Sequence, residues 1–164
     1  MRRALWAAAV LAAHAVASPA LALSCMRPDP ASDFAGADAS EDVWIIAEGV
    51  LSFDTALLPP RDRGVAPSAD IDIPARFSGQ SLSGGGFDRP FDATITLRLT
   101  CAGPWCGQAA PGQMIAFLKR TPEGHVLIAD PCRTRVYPDA SDAVRDQLVR
   151  CIQGETCTPA DPFR

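Results

Sequence analysis

Six cysteines, all placed beyond residue 24, constrain this chain more than any other feature: Cys25, Cys101, Cys106, Cys132, Cys151 and Cys157. In a reducing compartment such a set points to a metal or a redox site. In an oxidising one it points to cross-links. The first 22 residues decide between the two. Arg2 and Arg3 make a basic start, residues 4–16 are apolar except for His14, and Ser18, Pro19 and Ala20-Leu21-Ala22 follow. A basic start, an apolar stretch and a small-x-small end form a secretory signal peptide. The apolar run falls short of the roughly 20 residues a spanning helix needs. The expectation is a signal peptide over 1–22 and a single domain over 23–164, periplasmic or secreted. Cleavage after Ser24 also satisfies the small-residue rule and would expose Cys25. A lipid-modified Cys25 ranks lower, because Ala22 stands where a larger aliphatic is usual.

An even cysteine count in an exported chain reads as three disulfides, and count alone fixes no pairing. Zinc fits poorly: the close spacings are C-x4-C and C-x5-C, and His125 is the only histidine after the leader. The formal charge is −4; Arg2 and Arg3 leave with the leader, so residues 23–164 carry −6. An acidic domain whose one lysine is Lys119 lacks the basic stripe that nucleic acid demands. The preference for Arg over Lys and the many Ala and Pro suit a GC-rich bacterial genome.

Along the chain, Pro30 after Asp29 suits a helix start, and a short helix is expected within 26–42. Residues 43–53 are β-branched, aromatic and almost continuously apolar, as in a strand buried on both faces, and Gly49 marks a bend. Residues 57–70 and 83–92 read as long polar loops, the second around three consecutive glycines. Residues 71–82 alternate, with Pro74 demoting them to an edge or bulged strand. Residues 93–101 alternate cleanly, and 114–118 and 126–129 form the arms of a hairpin around a turn at 121–124. Val144, Leu148, Cys151 and Ile152 share one face of a helix over 141–152, with Ser141 as cap and Gly154 as stop. Trp44, Ile46, Val50, Ile95, Leu97, Leu99, Ile115, Phe117 and Val126 are expected in the core. This order of elements fits a small barrel or sandwich.

No motif carries catalysis. Trp105-Cys106-Gly107 has the front of a thioredoxin-type motif, but Ala109 stands where the resolving thiol belongs, so a structural Cys101–Cys106 staple is favoured. His125 follows Gly124 in a turn, with no nucleophile elbow anywhere. Ser83-Gly84-Gly85-Gly86 has no following Lys-Ser/Thr. Asp29, Asp33, Asp38, Glu41 and Asp42 lack the alternation of a calcium loop and read as a solvated face.

The opening Leu23-Ser24-Cys25, Pro28 and Pro30, Asp33-Phe34-Ala35-Gly36-Ala37-Asp38 and the strand over 43–50 resemble the start of netrin-like domains. The tissue inhibitors of metalloproteinases are the best-known members. The strand ending at Cys101, Pro111-Gly112-Gln113, Asp130-Pro131-Cys132 and the helix ending in Cys151 look similar too, so the resemblance spans about 23–157. It implies a mostly β fold: a five-stranded OB-type barrel with a short N-terminal helix and a C-terminal helix. The family commonly opens Cys-x-Cys, where this chain has Leu23, and has a cysteine where this chain has Ala35. Those losses orphan Cys101 and Cys151, whose new neighbours are Cys106 and Cys157. The resemblance therefore implies Cys25–Cys132, Cys101–Cys106 and Cys151–Cys157, against the competing pairs Cys25–Cys101 and Cys106–Cys132. The inhibitors chelate zinc through an N-terminal cysteine; with Leu23 in that place, inhibition is not carried over.

The leading expectation is an exported, disulfide-stapled binding module for a protein or envelope partner. It has no catalytic residue, metal or cofactor, and Leu23, Ser24 and Trp105 are its candidate contacts. The alternatives are an envelope enzyme or thiol-redox protein using Cys106 or His125, and a protein lipid-anchored through Cys25.

Overall fold

The computed structural model describes residues 23–59 and 69–159. The signal-peptide reading and most of the expected loop over 57–70 lie outside the described residues. Helix α1 (Pro30–Asp38) begins as its sequence dictates. The Asp29 carboxylate accepts a hydrogen bond from the Ser32 amide at 2.7 Å, and Pro30 fills the first turn, where its missing N–H has no partner to lose.

The strands are β1 (Trp44–Phe53), β2 (Ile71–Ser83), β3 (Gly86–Leu99), β4 (Cys101–Ala102), β5 (Trp105–Cys106), β6 (Gly112–Thr121), β7 (Gly124–Ala129) and β8 (Val136–Pro138). A 3-10 turn (Thr55–Leu57) follows β1, and α2 (Asp142–Ile152) comes last. Six strands form one sheet in the order β1-β2-β3-β7-β6-β8, and β1 also pairs with β6. All pairings are antiparallel except β3 with β7, which is parallel. β4 and β5 make a separate two-stranded ribbon. The five-stranded OB-type barrel implied by the netrin-like resemblance is thus corrected to a six-stranded mixed sheet with a ribbon and flanking helices. The missed strand, β8, has three residues, too few to show a period, and its bonds to Met114–Ala116 are long-range in sequence.

β1 and β6 contribute side chains to two cores, one on each face. Ala47, Leu51, Met114, Ala116 and Leu118 join Ile73, Phe77, Leu97, Leu99 and Leu127 in the larger core. Ile46, Ile115 and Phe117 point the other way, into a second core with Phe87, Tyr137 and Leu148 of α2. Gly49 faces Gly79 across the β1–β2 pair. A Cβ on Gly79 would sit 2.0 Å from the Glu48 carbonyl oxygen, so both strands need bare glycine where they approach.

Four expectations are corrected here. Val50 is 47% exposed, because the inward alternation on β1 runs through Ala47, Gly49 and Leu51; Trp44 is only half-buried. Residues 83–92 are not a long loop: β2 turns at Gly84-Gly85 and β3 resumes at Gly86, whose φ of 107° only glycine holds easily. The Ser83 hydroxyl accepts from the Gly85 amide at 3.1 Å and bonds Asp88 at 2.6 Å, closing the turn. The Ser141 side chain makes no capping bond; its carbonyl accepts from Val144 and Arg145, and Asp142 supplies the negative charge at the helix start. Pro74 is tolerated because β1 pairs with β2 only from Ala75 onwards, leaving the proline a single partner strand.

Disulfides join Cys25 to Cys132, Cys101 to Cys106 and Cys151 to Cys157. The first ties the segment before α1 to the chain just after β7. The second bridges directly paired residues of the ribbon. The third holds the residues after α2 against its last turn.

Candidate functional site

Where β7 ends, the chain makes a six-residue excursion before β8, and its own side chains hold it rigid. The Asp130 carboxylate accepts from the Cys132 amide at 2.7 Å, the Thr134 amide at 3.1 Å and the Thr134 hydroxyl. Asp33 of α1 reaches over to accept from the Arg135 amide at 2.8 Å and from the Tyr137 hydroxyl. Burial, and then this bond to Asp33, holds the Tyr137 phenol far above its ordinary pKa, so it stays a donor. The Arg135 guanidinium lies 4.3 Å from the centre of the Trp44 ring, a cation–π contact that pins the same stretch to β1. Arg133 and Arg135 within this stretch, and Asp139 directly after β8, take φ values of 55°, 62° and 47°. Left-handed backbone is uncommon outside glycine and persists where its surroundings over-determine it.

This segment is a wall between two depressions. On one side a cavity of about 220 Å³ opens onto Leu51, Met114, Leu127 and Ala129, residues of the larger core. On the other, a shallower groove runs between Cys25, Met26 and Pro28 and the start of α2 at Ser141 and Val144. Arg133, Val136, Pro138 and Asp139 line both. The Cys25–Cys132 bridge thus fastens the first described residues to the wall itself, leaving Met26 79% exposed beside the groove.

The residues singled out from the sequence are scattered by comparison. Leu23 and Ser24 precede Cys25 and are exposed, and neither lines the cavity or the groove. Trp105 is half-buried on the ribbon, opposite Ala102, and lines neither depression. Cys106 is bonded to Cys101, and the described residues contain no free cysteine. His125 packs edge-on against Phe91 with ring centres 5.2 Å apart. Burial first, and the nearby Arg120 second, lower its pKa below the ordinary histidine value, so the imidazole is neutral near pH 7. The N-terminal carboxylates do not converge: Asp29 caps α1, Asp33 holds the wall, and Asp42 pairs with Lys119 at 2.7 Å. Among the described residues no three His, Cys, Asp or Glu side chains cluster as metal ligands, and no helix is long and apolar enough to cross a membrane.

Sequence reasoning missed Met26, Arg133 and Asp139. The one available sign was the Asp130-Pro131-Cys132 turn, which marks where the chain leaves the sheet. Nothing in Arg133-Thr134-Arg135 announces left-handed backbone. No family model matches the chain, and no curated protein or solved structure matches it.

Proposed function

We propose that this chain is an exported binding module of the periplasm or cell exterior, acting without catalysis, that engages a protein partner at the end of the sheet where its N-terminal segment is pinned. One observation carries this reading: a rigid wall, held from α1, β1 and the Cys25–Cys132 bridge, stands between a groove and a cavity and presents exposed Met26 beside them. A preorganised backbone suits recognition because little of its ordering entropy remains to be lost on contact, and the flexible Met26 side chain at its rim can adapt to a partner's surface. The leader-like residues 1–22 and the three bridges support export.

The test is a photo-crosslinking residue at position 26 of the protein expressed in its native envelope. A second crosslinker at Glu123 serves as control, since the Thr121–Gly124 turn lies at the far end of β6 from Gly112 of the cavity. A discrete adduct from position 26 and none from 123 is expected. Equal adducts from both, or none from 26, contradict the assignment.

A further inference from the structure

The cavity on the far side of the wall has a chemistry of its own. Its lining is mostly apolar: Ala109, Ala110, Pro111, Val136 and Pro138 form the accessible part, over a buried floor of Leu51, Met114, Leu127 and Ala129. Its rim carries two opposite charges, Arg133 and Asp139, and neither forms an ion pair with a described residue. Both charges sit on left-handed backbone that hydrogen bonds hold in place. The Arg133 amide donates to the Asp130 carbonyl and the Asp139 amide to the Gln113 carbonyl, each at 3.1 Å. Two opposite charges carried on held backbone beside an apolar lining suit a ligand with an apolar body and both signs of charge at its head.

Size narrows the class. An engineered apolar cavity of about 150 Å³ holds benzene, while pockets for drug-sized ligands begin at about 300 Å³. At about 220 Å³ this one takes a single branched aliphatic or phenyl group and little more. We propose that the cavity is a binding site for a small apolar α-amino acid. The side chain sits against the Ala109–Pro111 and Pro138 lining, the carboxylate faces Arg133 and the ammonium faces Asp139. A guanidinium is well suited to a carboxylate because its planar donors can meet both oxygens. This site goes beyond the partner-binding reading and survives its failure, because it needs no protein partner.

Calorimetry on the oxidised protein tests it with four probes: L-leucine, isopentylamine, which lacks the carboxylate, 4-methylpentanoate, which lacks the ammonium, and glycine, which lacks the side chain. Leucine should bind, and each of the other three should bind at least about tenfold more weakly, the scale of one lost charge-assisted bond or a few buried methylenes. Arg133→Gln should lower leucine to the level of isopentylamine while leaving isopentylamine itself unchanged; Asp139→Asn should do the same relative to 4-methylpentanoate. Both residues are exposed, so these variants keep the fold. Leucine binding no tighter than glycine overturns the apolar lining's role. Leucine binding no tighter than either single-charge analogue, or unaffected by both variants, overturns the zwitterion assignment. No heat with leucine at concentrations on the order of millimolar overturns the site.

Discussion

Replacing Cys25 and Cys132 together by alanine is expected to remove about 5 kcal/mol of stability, the largest effect of any of the three bridges. The two residues lie 107 positions apart, so the bridge closes most of the domain's unfolded chain into one loop and removes its open conformations. In the chain-entropy account a loop of about 100 residues is worth about 4.7 kcal/mol. The same relation gives about 2 kcal/mol for loops closed at separations of 5 and 6, as in the other two bridges. Domains of this size are stable by about 5–15 kcal/mol in total, so loss of the long bridge brings the fold close to its limit. Guanidinium unfolding of the three paired-alanine variants would rank them. Cys25/Cys132 should be the least stable, with the other pairs within about 2 kcal/mol of the parent. A larger loss on removing the ribbon bridge would contradict this assignment of where the cross-linking energy lies.

Leu97→Ala is expected to cost about 2–5 kcal/mol. Leu97 is fully buried and sits in a row that crosses the sheet: Ile73 on β2, Leu97 on β3, Leu127 on β7 and Leu118 on β6 are successive register partners. Its backbone is hydrogen-bonded to strands on both sides, so neither can move in to fill the space left by the lost methyls. The removed side chain forfeits about 1.5–3 kcal/mol of burial, and the cavity adds to that. Val50→Ala is the contrast. At 47% exposure it should stay within about 0.5 kcal/mol of the parent. Urea denaturation of the two variants side by side would show the difference; equal losses would mean that the faces of β1 and β3 are assigned wrongly.

These two positions also show what a sequence can reveal. Around Leu97 the alternation of Ile95, Leu97 and Leu99 against Thr94, Thr96 and Arg98 names the inner face outright, because one side of β3 is polar. Around Val50 it fails, because β1 serves two cores, and a continuous apolar run does not say which residue faces which. Asp29-Pro30 announces α1 because capping is a local matter of side chain to neighbouring backbone. The parallel pairing of β3 with β7 and the three-residue β8 depend on partners far along the chain, so no local pattern foretells them. The glycines of 84–86 suggested looseness where the fold uses them to turn one long hairpin tightly.

The candidate site was the least legible part. Cys25 and Cys132 stood out, but the wall between them and β8 is built by Asp33, Asp130, Arg135 and Tyr137, residues 102 or more apart across the α1 contact and unremarkable singly. Trp105 drew notice as a rare aromatic beside a cysteine, yet the ribbon keeps it off both depressions.

Export followed by oxidation is the central expectation for this chain, and one measurement reaches both: the intact mass of the protein recovered from the envelope or medium after alkylation without reductant. The expected species begins at Leu23 and carries three disulfides with no alkylated cysteine. A chain that retains residues 1–22, or one alkylated at its cysteines, would contradict it.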